Sequence, residues 1–163
     1  MKSSVSIELF DERDKVNFYT IRFHGEETET DKFLDKFPEN CEYDEDIDII
    51  IKWINIIAER GALKRHFRYE GKLRDQVLAV PIETSNLRLY VIRVSESIII
   101  LGNGGAKTTR KYNDDAFLNS CVELLQEVDG YLRYRIRQGT VAVYQKQLLG
   151  DLTFHLKNKS DEE

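Results

Sequence analysis

The segment from Asp44 to Arg60, DEDIDIIIKWINIIAER, gathers seven isoleucines and the only tryptophan of the chain into seventeen residues. Its flanks dictate a helix. Asp44, Glu45, Asp46 and Asp48 crowd the start, where carboxylates suit the positive end of a helix dipole, and Gly61 supplies a stop just beyond Arg60. Ile47, Ile50, Ile51, Ile54 and Ile57 fall on one stripe at helical spacing, while Ile49, Trp53 and Ile56 widen it. A stripe this wide predicts neighbours on two sides, and the first of them is expected to be a sheet built from residues 77 to 101. The isoleucines and the tryptophan read as core rather than as a cofactor box.

The rest of the chain supplies candidates for that sheet. Val5, Ile7 and Leu9 alternate with polar neighbours, as do Tyr19, Ile21 and Phe23, which predicts a β-hairpin. Phe33, Leu34 and Phe37 suggest a short helix stopped by Pro38. Beyond Lys64 the texture becomes β-rich in four runs, His66 to Tyr69, Val77 to Ile82, Leu87 to Val94 and Ser97 to Leu101. The last two flank Ser95-Glu96 as an antiparallel hairpin, and Gly102-Asn103-Gly104-Gly105 is expected to end the last strand. Asn113, Asp114 and Asp115 cap a second long helix in which Phe117, Cys121, Leu124, Leu125, Val128, Leu132 and Ile136 repeat at three and four, until Gly139 ends it. Val141 to Tyr144 and Leu152 to Leu156 then predict a C-terminal hairpin or an added edge strand, and residues 157–163 a frayed tail.

These elements make an α+β protein, a small antiparallel sheet packed against helices, within one domain of 163 residues. Residues 1–43 form an N-terminal extension with its β-hairpin, 44–137 a core, and 138–156 the C-terminal strands. A composition 41% hydrophobic and 33% charged suits a compact globule. No stretch approaches the roughly 18 to 20 uncharged apolar residues of a membrane helix, and the residues after Met1 lack the apolar run of a signal peptide, so a cytoplasmic protein with no membrane partner is expected. Cys41 and Cys121 stand far apart without a CxxC, which fits buried reduced thiols.

The net charge of −5 hides an asymmetry. Residues 1–59 hold seven Lys/Arg against 16 Asp/Glu, residues 60–112 hold 11 against four, and residues 113–163 hold six against nine. Screening confines each charge to about 10 Å, so a local excess can hold a phosphate backbone on an acidic protein. Folding can also scatter those cations over several faces, and clustering along the chain is compatible with either outcome.

Familiar motifs do not explain the middle third. GNGGAKTT, from Gly102 to Thr109, fails as a phosphate loop, because Ala106 rather than glycine precedes Lys107 and the helix starts several residues later. His24, His66 and His155 are scattered without the spacing or cysteine partners of a metal centre, and no metal or cofactor is expected. A different order runs from Leu87 to Tyr112: LRLYVIRV, a turn, then SIIILGNGGAKTTRKY. A strand bearing an early arginine, a second apolar strand, and a basic cluster ending in tyrosine resemble the centre of the RelE/ParE toxin superfamily, particularly its mRNA-cleaving, HigB-like members. The resemblance covers about residues 44–137. It implies a RelE-like core, with two helices ahead of a small antiparallel sheet. Val77 to Ile82 lacks the lysines of ribosome-dependent members, with Arg74 and His66 the nearest substitutes, and the acidic residues 1–43 and the C-terminal strands are additions to the minimal fold.

What the resemblance implies is a toxin of a toxin–antitoxin pair, a metal-independent endoribonuclease whose partners are an antitoxin protein and RNA, either free or as ribosome-bound mRNA. Arg88 falls at the central-strand arginine, Lys107 and Arg110 in the basic segment, and Tyr112 at a tyrosine of some members. Attack of a 2′-hydroxyl on the adjacent phosphodiester needs a proton acceptor, cations for the pentacoordinate phosphate, and a donor for the leaving 5′-oxygen. Arg88, Lys107 and Arg110 supply cations of the right kind, since guanidinium pairs bidentately with phosphate. Tyr112 and His66 are the candidates for proton transfer. Arg68, Arg74, Arg93 and Lys111 are the further RNA-binding candidates. Arg88 and Arg93, five positions apart on one strand, should point to opposite faces; the plain alternative to function is that at least one of them is a surface strand arginine, and that Tyr112 packs its ring under the second helix. The alternative is a catalytically silent binding module on the same fold, a ParE-like inhibitor of a protein target or an interaction protein of mobile-element origin.

Overall fold

A computed structural model describes residues 3–69, 76–83, 85–107 and 115–157. The elements run β1 (Ser4–Glu12), β2 (Asn17–Phe23), α1 (Glu29–Asp35), α2 (Asp44–Arg60), β3 (Val77–Val80), β4 (Leu87–Arg93), β5 (Ile98–Ala106), α3 (Ala116–Gln138), β6 (Val141–Tyr144), β7 (Gln147–Gly150) and β8 (Thr153–His155). The expected α+β class holds, with a mostly antiparallel sheet between helices. Among the described residues no helix is long and apolar enough to cross a membrane.

The sheet is larger than the sequence suggested. Six strands lie in the order β3-β4-β5-β2-β1-β8, and β6-β7 form a separate hairpin. The N-terminal hairpin is no appendage, because β2 pairs in parallel with β5 from Asn17↔Ile98 to Thr20↔Leu101. A C-terminal hairpin and an added edge strand both form, but Leu152 to Leu156 is not the hairpin partner of Val141 to Tyr144. Val141 to Tyr144 pairs with Gln147 to Gly150 as a hairpin, while Thr153–His155 adds an edge strand by pairing with Ser4–Ser6. The run His66 to Tyr69 is not a strand: Lys64–His66 form a 3₁₀ turn and only Arg68 bridges to Ala79.

Each face of the sheet carries its own core. On one, Ile50, Ile57 and Ala58 of α2 and Phe33 of α1 cover Phe18, Leu87, Leu89, Val91 and Ile99. On the other, Leu118, Val122, Leu125, Val128 and Leu132 of α3 cover Tyr19, Ile21, Tyr90, Ile92 and Ile100, with Val141 and Leu148 of the hairpin completing the layer. Helix α2 has the predicted bounds and lies on the sheet as expected, with Ile50 and Ile57 buried, Ile47 and Ile54 partly buried, and Trp53 set against Glu83 and His66, but the stripe is not covered throughout. Ile50 is 3% exposed and Ile51 48%, so the second neighbour inferred from the isoleucine count is solvent at Ile51. Helix α3 starts one residue after its cap Asp115, whose carboxylate accepts from the Leu118 amide, and ends at Gly139 in the left-handed conformation. Cys121 is buried under α3 with its thiol pushed up to about 12, chiefly by burial, so it packs as a small apolar group rather than reacting.

Candidate functional site

Strand β5 does not end at Gly102. It runs through the whole glycine segment to Ala106, pairing Leu89↔Gly104, Arg88↔Gly105 and Leu87↔Ala106 across an irregularity near Asn103. The glycines are what permit this close approach. A Cβ on Gly104 would stand 1.9 Å from the Arg88 carbonyl oxygen, and one on Gly102 would stand 3.0 Å from the Leu125 methyls. The segment that reads as a strand exit is therefore the surface on which β4 lies.

That pairing gathers two of the predicted cations at one end of the sheet. Strand alternation sends Arg88 to the α3 face with Tyr90 and Ile92. It is buried, and its Nη1 donates to the carbonyls of Ser85 at 2.7 Å and Leu87 at 2.9 Å. A buried guanidinium needs such acceptors to offset lost hydration. Lys107 follows β5 directly, and its amide donates to the Asn86 carbonyl at 2.7 Å. The Arg88 guanidinium and the Lys107 backbone thus both hang on the Ser85-Asn86-Leu87 segment. This segment is tied to α2, since Asp46 Oδ1 accepts from Ser85 Oγ at 2.7 Å and from the Asn86 amide at 3.0 Å. Lys52 and Trp53 Nε1 bind Glu83 two residues earlier, at 2.9 and 2.7 Å.

Lys36, which no pattern in the sequence singles out, closes the far side of β5. Its ammonium donates to Asn103 Oδ1 at 3.0 Å and to the Gly104 carbonyl at 2.6 Å, and lies 4.1 Å from the centre of the Phe117 ring. Burial of that ammonium lowers its pKa from the ordinary lysine value. No spacing along the chain could have announced this bond, because Lys36 and Asn103 stand 67 positions apart and α1 is brought onto β5 by tertiary packing, with Thr30 Oγ1 donating to the Leu101 carbonyl at 3.3 Å.

The remaining predicted residues do not join Arg88. His66 is buried on the α2 face, its Nδ1 accepting from the Leu63 amide and its ring 6.3 Å from that of Trp53. Burial first, and Arg65 second, lower its pKa below the usual histidine value. Arg93 lies at the other end of β4 and, as the five-residue spacing requires, on the other face, its Nε donating to the Ala62 carbonyl at 2.7 Å. Arg68 pairs its backbone with Ala79 at the β3 edge. Arg74, Arg110, Lys111 and Tyr112 lie outside the described residues.

Comparison with family models, curated proteins and solved structures returned no match. The chemistry therefore rests on the site itself. Arg88 at one end of β4 and Arg93 at the other are separated by about 17 Å of strand, so these two described cations of the middle third lie at opposite ends of the sheet. Arg60, Lys64 and Arg65 go with Arg93, because the residues after α2 are held to the β4-β5 turn by the bond from the Ala62 amide to the Glu96 carbonyl at 2.7 Å. Among the described residues no group of three His, Cys, Asp or Glu could hold a metal ion. At the Arg88 end the structure fixes one buried guanidinium and sets the backbone of Lys107 beside it.

Proposed function

We propose that this chain is the toxin of a toxin–antitoxin pair, an endoribonuclease of the RelE/HigB-like kind that cleaves mRNA without a metal. The observation that supports it best is the β4-β5 register, which sets Arg88 opposite Gly105 and brings Lys107 to the same end of the sheet. In this reading the two cations stabilise the pentacoordinate phosphate as a 2′-oxygen bonds to phosphorus and the bond to the 5′-oxygen breaks. The products are a 2′,3′-cyclic phosphate and a 5′-hydroxyl. With His66 on the opposite face, proton transfer falls to Tyr112, and Arg110 and Lys111 extend the grip along the strand of RNA. The antitoxin covers the cations with an acidic or amphipathic segment, since charge complementarity speeds capture.

The position of His66 favours a second reading. A set of cations with no described imidazole beside it also fits a binding module that grips a protein or nucleic acid without cleaving it. Single-turnover cleavage of a defined RNA, with and without ribosomes, separates the two. The toxin reading expects Arg88→Ala to lose about two to three orders of magnitude in rate with little change in affinity, as loss of one preorganised donor does. It also expects co-expression of the adjacent gene to relieve toxicity. Full activity of folded Arg88→Ala would remove that residue from the mechanism, and no cleavage by the wild type under either condition would leave the binding module.

A further inference from the structure

The Arg88 guanidinium and the Lys107 backbone amide are held by backbone carbonyls, and those carbonyls belong to a segment that α2 fastens from the opposite face. Asp46 accepts from both Ser85 Oγ and the Asn86 amide. The Ser85 carbonyl then takes Arg88 Nη1, and the Asn86 carbonyl takes the Lys107 amide. Asp46 thus holds directly the peptide unit whose carbonyl takes Arg88, and through Ser85 Oγ, which accepts from the Leu87 amide at 3.1 Å, the next unit, whose carbonyl takes the Lys107 amide. Asp46 also stands in the first turn of α2, where any acid is favoured by the helix dipole, so the dipole alone would account for its presence but not for its two bonds to the segment.

We propose that Asp46 is a positioning residue for the cation pair, setting the Arg88 guanidinium and the backbone that carries Lys107 through the Ser85-Asn86 segment without touching the anion they bind. The inference rests on the reading of that pair as the phosphate-binding site. A negative charge near such a site has an opposite default effect: neutralising it should strengthen the hold on a polyanion. Positioning and plain electrostatics therefore predict different signs.

The test is the affinity of the full chain for a single-stranded oligouridylate at several salt concentrations, for wild type, Asp46→Asn, Asp46→Ala and Ser85→Ala. Asp46→Asn keeps the acceptor oxygen and loses the charge. Positioning predicts that it binds as well as wild type or better, while Asp46→Ala binds about tenfold more weakly, the order of effect of losing hydrogen bonds to a charged group. Ser85→Ala changes no charge and should weaken binding in the same direction. Equal affinity of Asp46→Asn and Asp46→Ala, or tighter binding by both, overturns the proposal. A second readout is amide exchange at Lys107, which should quicken in Asp46→Ala and Ser85→Ala but not in Asp46→Asn, with exchange at Ile57 unchanged. If the wild type binds no RNA, the functional reading fails on its own, and the exchange pattern still decides whether Asp46 sets the segment. Unaltered exchange at Lys107 in folded Asp46→Ala sinks the positioning role.

Discussion

Gly104 and Gly105 are adjacent and chemically identical, yet the fold treats them differently. A Cβ at Gly104 would collide with the Arg88 carbonyl oxygen, whereas one at Gly105 would meet nothing nearer than Leu118 at 3.5 Å, an ordinary van der Waals distance. Gly104→Ala should therefore push β4 and β5 apart and cost about 1–3 kcal/mol, the usual range for overpacking. Gly105→Ala should be close to neutral in the same urea titration; similar losses for both would show that the strands do not touch as described. His66 offers a pH test. Because burial lowers its folded pKa below its ordinary value of 6.5, the unfolded chain takes up the proton first as pH falls through that value. The stability held above pH 6.5 is thus lost progressively as the pH falls toward the folded pKa. His66→Gln keeps an acceptor for the Leu63 amide and should flatten the fall in Tm between about pH 7 and 5. A fall as steep as in the wild type would assign the acid sensitivity elsewhere.

Helix α2 shows how far pattern alone reaches. Its bounds follow from acids at one end and Gly61 at the other, and both were readable because capping is local. Its buried face was not, since seven isoleucines fill more of the circumference than the sheet covers. Ile50→Ala should cost about 2–5 kcal/mol, as truncation of a buried aliphatic side chain does. Ile51→Ala should stay within about 0.5 kcal/mol in the same thermal melts. Equal losses would mean that a second neighbour does cover the outer stripe. The glycine run misled for a different reason. Glycine commonly marks an exit from a strand, but here it marks the close approach of a second backbone, and only the register of β4 on β5 tells the two apart. Arg88 and Lys107 were visible as types and in order; the segment that holds them and the carboxylate behind it were not, because Asp46 and Ser85 are 39 positions apart.

Among the described residues, the cations of the middle third separate in a way that the linear count conceals. Arg88 and Lys107 occupy one end of the sheet, while Arg60, Lys64 and Arg65 go with Arg93 at the other. If RNA binds at the first end, Lys107→Gln should flatten the slope of log affinity against log salt by about 0.7, the share of one neutralised phosphate on a single strand. Joint replacement of Arg60, Lys64 and Arg65 by glutamine should leave that slope unchanged. A larger effect from the second set would move the binding surface to the β4-β5 turn.

The edge pairing of β8 with β1 joins Ser4 to His155. Translation separates the making of those two strands by some 150 residues, so on the ribosome β1 waits with one side unfilled until residue 155 has cleared the exit tunnel. The parallel pairing of β2 with β5 imposes a similar wait over some 80 residues. Pairings this distant along the chain slow folding, because a long loop must close before any of them is rewarded. Completion of this sheet consequently waits for β8 to emerge, and ribosomes stalled before residue 153 should carry chains still open to protease at β1.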